Sequence, residues 1–206
     1  MSKPKKIGIY AGSFDPVHHG HVDFALLALE LGMDRVYLLP EPRPRRKQGV
    51  KSLGHRVAMA ELATNKYARL GVIRLNQHKF TPISTLPILK ARFPNHDLSL
   101  LFGDDVIAHM LDHIGDWPRL DTLASCVEIV VMPRLRSEQS EIDQLFTILS
   151  QTTGLKFNYR ILKAGVGHVS SSGVRREIAT AGKSNHVPEE VVEYIIKHKL
   201  YASQEG

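Results

Sequence analysis

What most constrains this chain is an alternation, repeated almost from end to end, of short apolar runs with segments of helical periodicity. Residues 6–11 read as a strand, with Ile7, Ile9 and Ala11 on one face. Residues 21–31 read as a helix: Val22, Ala25, Leu26 and Leu29 share one side, and Gly32 supplies a stop. Strand-like segments follow at 35–39, 71–75, 98–102, 126–132 and, weakly, 158–162. Helical segments lie between or after them at 53–64, 83–93, 104–113, 141–151 and 172–181, the last ended by Gly182. A final helix opens at Pro188, with Glu189 and Glu190 beside it and Lys197, His198 and Lys199 at its end, an order of charges that suits the helix dipole. Such alternation predicts an α/β fold: a doubly wound, mostly parallel sheet with helices on both faces. Sheets of this kind bind ligands beyond the carboxyl ends of the strands, where strand order reverses. No repeat or linker divides the chain, so residues 1–206 are expected to form a single domain, with a small C-terminal helical extension from about residue 165.

Composition narrows the function classes. The 206 residues are 43% hydrophobic and 23% charged, enough to bury a sizeable core, and the net charge of +6 favours anionic partners. Cys126 is the one cysteine, so no internal disulfide can form and a reducing compartment is expected. No apolar run approaches the roughly 18 residues of a membrane span, and the basic start leads into a strand pattern, not a signal-peptide core. A cytoplasmic protein is the expectation.

Two segments carry the chemistry. After the first strand comes GSFDPVHHGH, Gly12 to His21. Gly12 permits close backbone approach, Asp15-Pro16 signals a turn, and His18 and His21 fall where the turn enters the first helix. Backbone amides at a helix N-terminus and two imidazoles there suit phosphate oxygens. Turn and capping roles, and a metal site shared by two histidines three apart, are the competing readings; with no downstream cysteine pair the metal reading ranks low, and no resident metal is expected. The second segment is VSSSGVR, Val169 to Arg175. Ser170, Ser171 and Ser172 are candidate helix caps whose hydroxyls also suit phosphate. Arg175 is read in the first turn, where a cation opposes the helix dipole unless an anion is bound. Taken alone, the segment is read slightly better as a serine-capped surface helix with a solvated arginine.

The first segment resembles the HxGH signature of the nucleotidylyltransferase superfamily, and the second resembles its ISSxxIR signature, in the right order and about 150 residues apart. The resemblance implies a Rossmann-like fold and transfer of an AMP unit from ATP to the phosphate of a small metabolite. It places His18 and His21 on the ATP phosphates, Arg175 and the three serines on the triphosphate, and Gly12, Ser13 and Phe14 in the ATP site. Among members, the chain is most similar to bacterial nicotinate mononucleotide adenylyltransferases. PRRKQG (44–49) resembles their PPHKxG loop and gives Lys47 a place near the phosphates. HRVAMAELA (55–63) carries the family arginine at Arg56. LLFGDDV (100–106) resembles the strand and turn at the adenosine, giving Gly103 and Asp105. Trp117 matches the tryptophan that stacks on the pyridine ring, VVMPR (130–134) the strand and loop near ATP, and VPEEVVEYIIKHKLY (187–201) the closing helix.

Two departures stand out. The segment that holds the ring carboxylate in the family, YTxDT, is FTPISTL here (80–86), with Pro82 in place of the usual threonine, Ser84 in place of the aspartate and Thr85 retained. Pro118 follows Trp117 and has no N–H to donate. Recognition of the acceptor ring is expected to differ at both places.

The reaction so implied is in-line attack of an anionic phosphate on the α-phosphorus of ATP, with pyrophosphate leaving. It needs positioning and charge neutralisation, which His18, His21, Lys47 and Arg175 would supply. Mg²⁺ would accompany the nucleotide, held by phosphates and water. ATP and a phosphorylated small-molecule acceptor are the expected partners; no nucleic acid or membrane is expected, and homo-oligomerisation stays open. Nicotinamide mononucleotide or phosphopantetheine as acceptor, and a nucleotide-binding regulator without turnover, are the alternatives. Arg43, Arg45, Arg46 and Lys51 read as a solvated basic loop, Cys126 as an inert buried residue opening a strand, and Asp104, His113 and His168 are undecided.

Overall fold

Alternate residues along the strands enter two separate cores, one on each face of a single sheet. The structure, a computed structural model, describes residues 5–44, 47, 49–75, 80–133, 138–163 and 169–202. Its strands are β1 (Lys6–Gly12), β2 (Arg35–Pro40), β3 (Leu70–Val72), β4 (Asp97–Gly103), β5 (Glu128–Met132) and β6 (Tyr159–Ile161). They run in the order β3-β2-β1-β4-β5-β6, every pairing parallel. The helices are α1 (His19–Glu30), α2 (Leu53–Thr64), α3 (Pro82–Arg92), α4 (Asp104–Asp112), α5 (Leu120–Cys126), α6 (Gln139–Thr153), α7 (Ser171–Ala181) and α8 (Glu189–Lys197). On one face, Ile7, Ile9, Leu100, Phe102, Ile129 and Val131 pack with Leu89 of α3, Met110 of α4, Leu123 of α5 and Phe146 of α6. On the other, Tyr10, Leu38, Leu101 and Val130 pack with Phe24 of α1, Met59 of α2, Ile178 of α7 and Ile195 of α8. Each fully buried Leu, Ile or Phe contributes about 1.5–3 kcal/mol of burial free energy, so the two layers supply the main driving force. At Gly8 the second layer is so close that an added Cβ would meet Met33 Sδ at 2.6 Å.

The order of strands makes the cleft. β1 and β4 are neighbours, yet α1 leaves β1 toward one face and α4 leaves β4 toward the other. A groove therefore opens at their carboxyl ends, Gly12 and Gly103, the place where a doubly wound sheet takes its ligand.

Some boundaries differ from the sequence expectation. The strand read at 71–75 is Leu70–Val72, although Ile73 and Leu75 remain buried beyond it. A 3₁₀ turn, Ile114–Asp116, and α5 occupy a stretch that shows no clear period in the sequence. Cys126 consequently closes a helix instead of opening a strand, and it is half-buried, with its thiol pushed below the ordinary value by hydrogen bonding to Ser125 and Lys90. No helix among the described residues is long and apolar enough to cross a membrane.

Candidate functional site

The turn after β1 is held from several directions. Phe14 adopts φ 47° and is completely buried, its ring against Tyr10 at 5.2 Å and His21 at 5.0 Å between centroids. That ring also explains Gly12: a Cβ there would meet Phe14 Cζ at 3.1 Å, so the close approach is by protein. His18 caps α1 with extended backbone, and its N–H donates to His21 Nδ1 at 3.2 Å. The two imidazoles stack at 3.6 Å. Because His21 Nδ1 accepts, its neutral ring carries the proton on Nε2. The amide of His19 donates to the carbonyl of His186 at 2.8 Å and that of His21 to His18 O at 2.9 Å. Part of this helix terminus is thus satisfied by protein, and the imidazoles both cap and line the site.

Asp15 ties the site together. Its carboxylate, 3% exposed, accepts from Tyr201 OH at 2.6 Å and from the Lys51 amide at 3.3 Å. Its backbone carbonyl accepts from Arg175 Nη1 at 2.7 Å, and the same nitrogen lies 3.9 Å from Asp15 Oδ2. Arg175 is the fifth residue of α7, beyond the first turn expected from sequence, and this contact gives it a protein partner. Ser170 caps α7 by accepting from the Gly173 amide at 3.1 Å, and Ser171 Oγ donates to the carbonyl of Pro16 at 3.1 Å. The second segment is therefore bolted to the first.

Arg56 is the other anchor. It is 1% exposed, and its guanidinium donates to the carbonyls of Lys51, Ser13 and Pro42 at 2.9, 2.8 and 3.2 Å. Burial pushes it below its ordinary pKa, while Asp15, Tyr201 and Glu41 oppose that shift. The arginine pins the loop after β2 onto the turn after β1. On that loop, Lys47 Nζ donates to Ser13 Oγ at 2.9 Å.

These elements enclose a cavity of about 520 Å³ at the β1–β4 reversal. Of the residues expected from sequence, Gly12, Ser13, His18, His21, Lys47, Gly103, Asp105, Trp117, Ser170, Ser171, Ser172 and Arg175 all line it. Phe14 and Thr85 do not. Phe14 backs His21 from the core, and Thr85, completely buried in α3, accepts at its hydroxyl from the Thr81 amide at 3.2 Å. Asp104 turns its carboxylate to the Asp105 amide at 2.9 Å, and neither it nor His113 lines the cavity. Arg45, Arg46, Arg134 and His168 lie outside the described residues. Lys51 Nζ stands 5.5 Å from the centre of the Tyr201 ring. Sequence reasoning missed Tyr10, Glu41, Phe80, Phe102, Val106 and His109 as cavity lining. Phe102 continues the period of Leu98 and Leu100 toward Gly103, and His109 lies four residues beyond Asp105, so both had a readable signal.

The lining of the cavity is of two kinds. Lys47 and Arg175 supply cations, and His18, His21 and the three serines supply hydrogen-bonding groups. Phe80, Phe102 and Trp117 form an aromatic cluster, in which Phe102 meets Trp117 edge-on at 6.3 Å and Phe80 at 6.2 Å. Pro82 sits at the first position of α3, where its missing N–H costs nothing, under an N-cap in which Thr81 accepts from the Ser84 amide at 3.2 Å.

The sequence profile of the cytidylyltransferase-like family matches residues 9–177, which span both segments. The chain belongs to that family. It is also 32% identical over 202 residues to a protein named "Probable nicotinate-nucleotide adenylyltransferase" from Neisseria gonorrhoeae, covering 96% of this chain and 98% of that one. A protein of the same name from Tropheryma whipplei is 33% identical over 202 residues, covering 95% and 99%. Among solved structures, the nicotinic acid mononucleotide adenylyltransferase of Plasmodium falciparum complexed with NaAD has the same fold, with a TM-score of 0.74 at 19% identity over 96% of this chain and 97% of that chain.

Proposed function

We propose that this chain transfers AMP from ATP to nicotinate mononucleotide, releasing pyrophosphate and forming deamido-NAD. The observation that carries the reading is the meeting of the two sequence segments, Gly12 to His21 and Ser170 to Arg175, on one cavity that is also lined by Lys47 and by aromatic rings. The full-length relatives named for this activity support the same reading.

In the proposed reaction the acceptor phosphate is already an anion and needs no base. The protein must bring two anions together and neutralise charge at the α-phosphorus and the departing pyrophosphate. His18 and His21 at the mouth of α1, Lys47 beside Ser13, and Arg175 beside Asp15 are the proposed donors, with Ser170, Ser171 and Ser172 on phosphate oxygens. Gly12, Ser13, Gly103 and Asp105 would border the ATP, with Phe14 supporting His21. Trp117 would face the acceptor ring, and Thr85 would act through the start of α3. Mg²⁺ would screen the polyphosphate charge. Glu41 and Asp105 line the cavity, and the ion would be held chiefly by phosphates and water. A single domain over 1–206 fits the sharing of one core by α1, α2, α7 and α8.

The test is pyrophosphate release from ATP with nicotinate mononucleotide, nicotinamide mononucleotide and phosphopantetheine in parallel. Nicotinate mononucleotide should give the highest kcat/KM. Release with the amide alone would assign Pro82 and Pro118 to a changed ring pocket, and release with no acceptor would leave a nucleotide-binding regulator.

A further inference from the structure

The closing segment of the chain is joined to the first chemical segment by one buried contact. After α8 the backbone turns left-handed twice, at Lys199 (φ 49°) and Tyr201 (φ 62°). Non-glycine residues adopt this region at a cost, so the surrounding packing must hold it. Between them Leu200 is buried at 6% exposure, and its amide donates to the carbonyl of Ile195 at 3.0 Å. The outcome of the two turns is that the Tyr201 phenol, 9% exposed, donates to Asp15 Oδ1 at 2.6 Å across 186 positions of sequence. Tyr201 lies outside the residues matched by the family profile, which end at 177.

We propose that Tyr201 is a positioning residue for nucleotide binding, which fixes the Asp15 carboxylate and thereby the spacing between the two phosphate-facing segments. This rests on the adenylyl-transfer reading of the cavity. Asp15 is where three site elements meet: its own turn carries His18, its carboxylate takes the Lys51 amide of the loop that bears Lys47, and its carbonyl and carboxylate face Arg175 of α7. A buried carboxylate needs donors. Tyr201 supplies a neutral one, and burial with hydrogen bonding to Asp15 raises its pKa far above the ordinary range, so it stays protonated at any working pH. With that donor gone, the carboxylate draws on its nearest cation, and Arg175 Nη1 is already 3.9 Å from Oδ2. The guanidinium would then be engaged by Asp15 instead of by phosphate. Tyr201 does not itself line the cavity; it acts through Asp15, which does.

The experiment compares Tyr201→Phe with the wild type and with Tyr194→Phe. The control removes a hydroxyl from α8 that bonds to His55 Nδ1 at 2.9 Å. Each protein is assayed for MgATP affinity by calorimetry and for steady-state kinetics, at a temperature where all are folded. Tyr201→Phe should weaken MgATP binding and raise the KM for ATP about tenfold, with the KM for the acceptor within twofold of wild type; Tyr194→Phe should leave both unchanged. Adding Asp15→Asn to Tyr201→Phe should cost less than the sum of the two single changes, as expected for residues acting as one unit. MgATP affinity within twofold of wild type in Tyr201→Phe overturns the proposal, and so does an equal loss in both tyrosine variants. Calorimetry needs no turnover, so the binding result is independent of the acceptor panel: wild type that binds MgATP but releases no pyrophosphate overturns the adenylyl-transfer reading alone.

Discussion

His21 Nδ1 is occupied by the amide of His18, and this contact decides what the rest of the ring can do. Its other nitrogen is left as the proton-bearing one, a donor whose direction is set by Phe14 on one side and the stacked His18 on the other. A donor aimed in advance at developing charge needs no reorganisation when the reaction occurs, which is why such groups contribute so much. His21→Ala should therefore lower kcat by about 10²–10³-fold, measured by pyrophosphate release at saturating substrates; turnover near that of the wild type would remove His21 from the chemistry. At this scale the two histidines are readable because both lie in one short motif. Asp15 is readable only as a turn residue. Its partners stand 36, 160 and 186 positions away, and no local pattern records contacts at such separations.

The elements are legible where a cap and a period agree. Helix α2 has both: Ser52 accepts from the His55 amide at 3.3 Å, and the expected range 53–64 is the observed one. Helix α5 has neither. Its seven residues follow Arg119, a left-handed non-glycine residue, and only Leu120 and Leu123 mark its buried side. The run from Cys126 to Met132 then reads as one apolar strand, although its first residue ends the helix and the strand starts at Glu128. Helix α3 falls between these cases. Pro82 begins it, and Thr81 caps it by accepting the Ser84 amide, with the two hydroxyls 2.5 Å apart. Removal of that cap by Thr81→Ala should cost about 1 kcal/mol, lowering Tm by roughly 2–4 °C for a chain of this size. Urea denaturation and a thermal scan both check this, and an unchanged midpoint would show that Pro82 holds the helix start without the threonine.

At the level of the whole molecule, the cavity follows from strand order more than from any side chain. The parallel sheet is expected from the sequence, because strand-helix alternation leaves few other arrangements. The reversal at β1 and β4 is not readable there, since β4 reaches β1 only after β2 and β3 have been laid down on its other side. That reversal divides the sheet into β3-β2-β1 and β4-β5-β6, and the site draws on both: Gly12 and His18 from one, Gly103 and Asp105 from the other. Both cores cross the seam, so the two halves are expected to open together. A nucleotide lying across the seam stabilises only the state in which both are closed, by about 2.7 kcal/mol at a hundredfold excess over Kd. Hydrogen–deuterium exchange with saturating MgATP should thus slow β5 and β2 together, roughly 100-fold, although neither lines the cavity. The seam between two half-sheets would then be the place from which a small ligand steadies strands that it never touches.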